Sequence, residues 1–331
     1  MDYTDLFFSI ASHPVWFFCS LVLLVTLRFM RKGTWDARKC LTDLSGKTTI
    51  VTGANTGLGK AIAMDFARRN GRVILACRSR ERGQAAVDEI QKVTSNRNVI
   101  LEILDTSSMA SVRDFAKRVL QSEKRLDILV NNAGASGLPR SVTSEGLEVT
   151  LATNHLGPFL LTNLLLDLMK RSGTGRIVFL SSFMHAAGFI DTNHLYGKNM
   201  EKLAFNKTYN CSKLWSMICA KELAKRLQGT GVTVNSVSPG VVLTEAIRNH
   251  RFFLRSIFNI LGYFFFKTAD EGAASTIYCA VSEEAESFQG KYIDSNCNII
   301  QPSKKTSDPD LNKKVWEACE AATDLTANPE K

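Results

Sequence analysis

Six short apolar runs recur along this chain, at Thr48–Thr52, Arg72–Cys77, Val99–Leu104, Leu126–Asn131, Arg176–Ser181 and Val232–Val237. Between them lie segments of helical length with one apolar face: Gly57–Asn70, Glu81–Val93, Met109–Ser122, Glu145–Arg171 and Tyr209–Gln228. Few folds accept that alternation. Strand, helix and strand in one sheet make a right-handed crossover, and a succession of crossovers predicts a parallel sheet with helices on both faces. The chain has 331 residues, enough to bury such a core in one domain, and no solenoid-period repeat or low-complexity tract breaks the pattern. The predicted class is α/β, with a single doubly wound parallel sheet.

Ahead of that domain, Leu6 to Leu27 contains no Asp, Glu, Lys or Arg, and Val15 to Leu27 is almost wholly apolar. About 20 such residues cross a bilayer as a helix. His13 and Pro14 interrupt the stretch, which fits a shorter or tilted insertion. A cleaved secretory signal is the rival, but no basic residue precedes the run and no small-x-small site closes it. Asp2 and Asp5 precede the run, whereas Arg28, Arg31, Lys32, Arg38 and Lys39 follow it. The positive-inside rule then leaves the bulk of the chain in the cytosol. The expected organisation is a transmembrane anchor with a basic flank over residues 1–32, a linker over 33–44, the α/β domain over 45–300 and a polar tail over 301–331. The tail holds one amphipathic stretch, Leu311 to Ala322, and no recognisable chemistry.

The net charge of +9 suits a surface facing anionic lipid or a phosphorylated cofactor. No basic run interleaves with aromatics, so nucleic acid is not an expected partner. Eight Cys without a C-x-x-C pair argue against a disulfide framework and against a zinc site. The five His show no ligand spacing either, so no metal is expected.

The first predicted strand ends in Gly53-Ala54-Asn55-Thr56-Gly57-Leu58-Gly59 before a helix. Glycines at such a turn let the backbone approach a pyrophosphate, and the helix N-terminus favours its charge. The spacing G-x-x-x-G-x-G also serves ordinary turns; its place in a βαβ unit gives it weight. About twenty residues on, a carboxylate would hold the ribose 2′-hydroxyl of NAD. The chain has Cys77-Arg78 there instead, with Arg80 and Arg82 close behind. A guanidinium pairs with the 2′-phosphate of NADP, the plain alternative being a solvated basic helix start.

Tyr209 and Lys213 stand at i and i+4 and share a helix face. An ammonium about 5 Å from a phenol, at an effective dielectric of about 20, is worth roughly 3 kcal/mol, or about two pKa units. That shift would move the phenol towards general acid–base work at neutral pH. A second copy of the spacing, Tyr263 and Lys267, shows how little it says alone.

Taken in chain order, the motifs resemble the short-chain dehydrogenase/reductase family. The series runs from the glycine turn through Asp105, Asn131-Asn132-Ala133-Gly134 and Asn154 in Asn-His-Leu-Gly, then Ser181-Ser182, Tyr209/Lys213, and Pro239-Gly240 with Thr244. The likeness covers Ser45 to Ser295. It is nearest to the membrane-anchored retinol dehydrogenase branch through Ala76-Cys77-Arg78, Asn154-His155-Leu156-Gly157 and Ser212-Lys213-Leu214.

The resemblance implies a Rossmann-type domain in which Tyr209 is the proton donor or acceptor, while Lys213 tunes it and binds the nicotinamide ribose. Ser182 would hold the substrate oxygen, preferred over Ser181 because it lies at the strand's mouth. Asn154 would support a water between Lys213 and solvent. The implied cofactor-binding set is Gly53, Asn55, Thr56, Gly57, Leu58, Gly59, Arg78, Asp105, Asn131, Ala133, Gly134, Tyr209, Lys213, Pro239, Gly240, Val242 and Thr244. Within it Asp105 meets the adenine, and Val242 and Thr244 meet the carboxamide. The plain readings of Asn131 and Asn154 are a strand-end cap and an ordinary polar helix residue.

Ser182 to Tyr209 spans 27 positions, longer than the commonest family spacing, an insertion that the retinol dehydrogenase branch also carries. His185, His194 and Tyr196 within it are candidate pocket liners. Residues 244–267, rich in Phe, fall where the family places its substrate lid; a hydrophobic lid touching the bilayer is expected, with core packing the alternative. The implied function is an NADP(H)-dependent oxidoreductase, NADPH preferred over NADH, interconverting a lipophilic alcohol and its aldehyde or ketone. It would act on the cytosolic face of a membrane, expected to be the endoplasmic reticulum. A retinol/retinal-type substrate comes first. The alternatives are a steroid or lipid-aldehyde carbonyl reductase of the same family and a non-catalytic NADP-binding membrane scaffold. Reaction direction and oligomeric state, a homo-oligomer included, are left open.

Overall fold

A computed structural model describes residues 35–198, 206–242 and 266–325, with isolated positions at 15, 16, 18–20, 22, 25, 26 and 262. The strands are β1 (Thr48–Thr52), β2 (Arg72–Cys77), β3 (Val99–Ile103), β4 (Ile128–Asn131), β5 (Gly175–Leu180), β6 (Val232–Val237), β7 (Tyr292–Ile293) and β8 (Ile299–Ile300). They form one sheet in the order β3-β2-β1-β4-β5-β6-β7-β8, parallel throughout except for β8, which returns antiparallel on β7. The six apolar runs become β1 to β6. All but the edge strand β3, where only Val99 is fully buried, are buried on both faces, which is why they read as nearly continuous apolar runs rather than alternations. Ile50, Ile74, Leu129, Ile177 and Val234 enter the core on one face; Val51, Val73, Val130, Val178 and Val237 enter it on the other.

Helices α1 (Gly57–Arg68), α2 (Arg80–Thr94) and α6 (Ala269–Val281) cover the second face. Helices α3 (Met109–Ser122), α4 (Gly157–Arg171), α5 (Lys207–Arg226) and α7 (Pro309–Ala322) cover the first. Side chains of Ser79, Ser108 and Asp308 accept backbone N–H bonds at the starts of α2, α3 and α7, and Thr268 with Glu271 closes a capping box on α6. The predicted helix Glu145–Arg171 is not uniform. Glu148 caps one turn at Val149–Leu151, a π turn follows at Ala152–Leu156, and α4 continues from there.

The expected linker is docked rather than free over its described part. Trp35 packs edge-on against Tyr278 at 5.4 Å, and Arg69 at the end of α1 donates to the carbonyls of Ala37, Cys40 and Thr42. The expected polar tail also joins the core, burying Val315, Trp316 and Cys319 of α7. Among the described residues no helix is long and apolar enough to cross a membrane. Most of the stretch Leu6 to Leu27, and most of the expected lid, lies outside the described residues.

Candidate active site

β1 lies between β2 and β4, so chain order reverses there and a crevice opens at the carboxyl ends of β1 and β4. Its floor is the glycine turn. Gly53 and Gly57 hold φ of +65° and +55°, which few side chains tolerate. A Cβ on Gly59 would stand 2.4 Å from the Gly53 carbonyl oxygen and 2.5 Å from Asn132 Nδ2, so only hydrogen fits. Asn55, Thr56 and Leu58 line the same floor. Thr56 offers no side-chain cap to α1, and the first turn of α1 carries no acidic residue of its own to compete with a bound anion for its amides.

The β4 end is locked to this floor. Thr52 Oγ1 accepts from the Asn132 and Ala133 amides at 3.0 and 2.9 Å, and Asn132 Nδ2 donates to the Thr52 carbonyl at 2.7 Å. Ala133 and Gly134 line the cleft beside Asn132. Asn131 does not line it. Its side chain is buried on the α4 side and donates to Thr162 Oγ1 at 2.9 Å.

At the β2 end, the Cys77 thiol is buried and receives the backbone N–H groups of Ala54 and Asn55; burial pushes it up to about 11, so it stays neutral. Arg78 is largely exposed at the rim, its guanidinium 3.9 Å from Asp105. Asp105 in turn accepts from the Ser107 amide at 2.9 Å and hydroxyl at 2.7 Å. Arg82 and Ser79, the latter not expected from the sequence, line the cleft beside Arg78.

The candidate catalytic residues come from three elements. Ser182 follows β5, and its Oγ accepts from the Met184 amide at 3.2 Å and hydrogen-bonds the Tyr209 phenol. Ser181 also lines the cleft, and its hydroxyl donates to the Lys213 carbonyl at 3.3 Å, tying α5 to the sheet. Tyr209 and Lys213 lie one turn apart on α5. Lys213 Nζ is buried, donates to the Leu180 carbonyl at 2.7 Å, and stands 5.7 Å from the Tyr209 ring centre. Asn154 sits in the π turn and clasps Ala135, its Oδ1 accepting from the amide at 2.8 Å and its Nδ2 donating to the carbonyl at 2.9 Å. Its Nδ2 also reaches Ser212 Oγ at 3.1 Å. Gly134 fills the gap between them: a Cβ there would lie 3.3 Å from Asn154 Oδ1 and 3.5 Å from Lys213 Nζ.

The electrostatics correct one expectation. Burial raises the Tyr209 phenol, against a lowering from the Ser182 hydrogen bond, and burial pulls Lys213 down to about 8. The ammonium lies beside the ring and hydrogen-bonds a carbonyl, so desolvation outweighs its field. A phenol held this way keeps its proton at neutral pH.

Pro239 lines the cleft, and Val242 pairs with Lys267 in an isolated parallel bridge. A Cβ on Gly272 would meet Val242 Cγ2 at 2.6 Å and Leu58 Cδ2 at 2.8 Å, so α6 holds the segment after Gly240 close to the glycine turn. Thr244 and Tyr263 lie outside the described residues. Lys267, the lysine of the second Tyr-x-x-x-Lys, is buried and donates to the Ser295 carbonyl and to Asn296 Oδ1 at 3.2 Å, a structural use. The histidines of the insertion are structural too. His185 Nδ1 donates to the Ser182 carbonyl at 2.7 Å while its Nε2 accepts from the Ser303 amide at 3.0 Å, and His194 pairs with Thr208 at 3.1 Å. Neither lines the cleft, nor does the exposed Tyr196.

The family profile for short chain dehydrogenases matches residues 47–252. Retinol dehydrogenase 12 of Mus musculus is 43% identical over 284 residues, covering 85% of this chain and 88% of its own length. Retinol dehydrogenase 13 of Mus musculus is 45% identical over 278 residues, covering 82% of each. The crystal structure of L-sorbose reductase from Gluconobacter frateurii, complexed with NADPH and L-sorbose, superposes with a TM-score of 0.61 over 77% of this chain and 98% of that one. At 22% identity that likeness speaks for the fold. A doubly wound sheet, a glycine-floored cleft at its switch point and these relatives converge on one statement: the chain belongs to the short chain dehydrogenase family, in its retinol dehydrogenase branch, and is an oxidoreductase.

Proposed function

We propose that this protein is a membrane-attached, NADP(H)-dependent oxidoreductase that interconverts a lipophilic alcohol and its aldehyde or ketone, a retinol/retinal-type pair first. The observation that carries the reading is the meeting of the Ser182 hydroxyl and the Tyr209 phenol beside a glycine-floored cleft. A bound nicotinamide dinucleotide would supply or accept the hydride there. The residues fit such a group: Gly59 admits no Cβ, the first turn of α1 carries no acidic residue, and the small residues Ala133 and Gly134 line the cleft. Ser182 would hold the substrate oxygen. Tyr209, kept protonated by burial, donates its proton to that oxygen in the reductive direction. Lys213, steadied by Leu180 and flanked by Asn154 and Gly134, would hold the nicotinamide ribose.

Three features support the finer points. Arg78 and Arg82 stand where the second strand ends and Cys77 replaces a carboxylate with a neutral thiol, an arrangement that favours a 2′-phosphate and hence NADPH over NADH. Phe183, beside the catalytic serine, is 53% exposed and offers apolar surface to a lipophilic substrate. Val15, Trp16, Phe18, Val22 and Val25 are helical and exposed, which suits burial in lipid. The basic residues that follow them favour a cytosolic domain, with the endoplasmic reticulum as the proposed membrane.

Full-length protein in detergent micelles, assayed with retinal, a ketosteroid and a medium-chain aldehyde, each with NADPH and with NADH, tests this. The highest kcat/KM should be for retinal with NADPH. A higher value for the ketosteroid or aldehyde would move the assignment to a carbonyl reductase. Dinucleotide binding with no turnover of any substrate would make the protein a scaffold.

A further inference from the structure

Behind the π turn, three buried side chains from three elements converge. His155 follows Asn154 in the π turn, Cys219 lies on α5 and Cys319 on α7, and all three are buried. Their donor atoms all lie within 4.8 Å of one another. His155 Nε2 is 3.1 Å from Cys319 Sγ and 3.9 Å from Cys219 Sγ, and the two sulfurs are 3.8 Å apart. The two cysteines are 100 positions apart and the histidine is 64 from the nearer one, so no local spacing announces the group.

We propose that His155, Cys219 and Cys319 bind one zinc ion. Zinc holds thiolate sulfur at about 2.3 Å and imidazole nitrogen at about 2.0–2.1 Å, so neighbouring ligands at tetrahedral corners stand about 3.8 Å (S···S) and about 3.5 Å (S···N) apart. The sulfur separation of 3.8 Å matches the first value, and the S···N distances of 3.1 and 3.9 Å bracket the second.

The histidine is held in the tautomer this needs. Ser216 Oγ lies 2.9 Å from the Ser212 carbonyl, 3.4 Å from the Asn154 carbonyl and 3.3 Å from His155 Nδ1. Its one proton goes to a carbonyl, so its oxygen accepts from Nδ1–H and Nε2 keeps its lone pair for the cysteine side. A ligand histidine oriented through its other N–H is the usual support of a metal site.

Charge selects a divalent ion. The His155 ring sits 6.2 Å from Phe159 and 6.0 Å from Trp215, and Trp316 meets Phe159 edge-on, so the cluster is buried among aromatic rings. Binding releases two thiol protons to solvent. Two thiolates and one divalent cation then sum to zero, whereas a net charge in this core would be costly. Zinc takes such a sulfur–nitrogen set without redox chemistry, the fourth corner going to a small ligand. The ion would join the carboxyl-terminal helix and the catalytic helix to the turn that carries Asn154.

The test uses the full-length chain in detergent micelles, stripped with chelator and then offered zinc chloride, with metal counted by plasma mass spectrometry after dialysis. One zinc per chain should be retained by wild type and lost in Cys219→Ser and Cys319→Ser. The ion should raise the wild-type melting temperature but not that of Cys319→Ser. Should the variants fail to fold, cobalt chloride added to stripped wild type decides: thiolate-to-cobalt charge-transfer bands with tetrahedral visible bands support the site, and their absence overturns it. Equal zinc retention by wild type and both variants, or recovery of a Cys219–Cys319 disulfide with no bound zinc, also overturns it. None of these readouts depends on the oxidoreductase reading.

Discussion

The Lys213 ammonium stands 5.7 Å from the centre of the Tyr209 ring and gives its hydrogen bond to the Leu180 carbonyl, 2.7 Å away. The two groups therefore lie side by side on α5 without the nitrogen addressing the phenol oxygen. Burial then governs both, raising the phenol and lowering the ammonium to about 8. The enclosure that is unfavourable for the lysine charge keeps the tyrosine proton in place.

That enclosure has a measurable cost. Lys213 titrates at about 8 in the folded protein against 10.5 when exposed, so between those pH values the unfolded chain binds more protons and this site's contribution to stability rises with pH. Below pH 8 the buried charge costs about 3 kcal/mol, offset by about 1 kcal/mol from its hydrogen bond. Lys213→Met is expected to unfold about 2 kcal/mol harder than wild type at pH 7, with the advantage gone near pH 10.5, while turnover is lost. Denaturant melts at the two pH values check this; a variant less stable at pH 7 contradicts it.

Gly59→Ala drives a Cβ to 2.4 Å from the Gly53 carbonyl, a backbone atom that cannot rotate away. Overpacking of this kind costs about 1–3 kcal/mol. Because the displaced atoms are the cleft floor, calorimetric titration should show dinucleotide affinity falling more than the stability loss alone explains. Unchanged affinity would mean that the dinucleotide does not rest on that floor.

Arg78→Glu tests cofactor choice. A charge-assisted contact is worth about 1.5–3 kcal/mol, so KM for NADPH should rise about 10- to 100-fold with little change for NADH. A parallel rise for both dinucleotides would point to a general rim effect.

The pattern of what could be read in advance follows from what each feature depends on. Strands β1 to β6 showed because each apolar run is long enough to stand out, and all but the edge strand β3 are buried on both faces, whereas β7 and β8, two residues each, carry no period. The π turn was hidden inside an unbroken apolar helix pattern. Tyr209 with Lys213 and the glycine turn stood out because each is a short local pattern, whereas Ser182, 27 positions before Tyr209, was reached only through the family resemblance. Asn131 and Asn132 were harder to tell apart: residues at a strand end alternate faces, which sends Asn131 to Thr162 and Asn132 to the cleft. The sign of the Tyr209 shift was out of reach, since spacing reports proximity and says nothing of burial. The meeting of His155 with Cys219 and Cys319 was likewise invisible, being made wholly by the packing of α5 and α7.

Replacing Tyr209 with Phe in the full-length protein removes one hydroxyl and leaves the rest of the cleft in place. With retinal and NADPH, kcat should fall about 10²- to 10⁴-fold while the dinucleotide Kd stays within about twofold. Turnover close to wild type would contradict the assignment of the phenol as the proton donor.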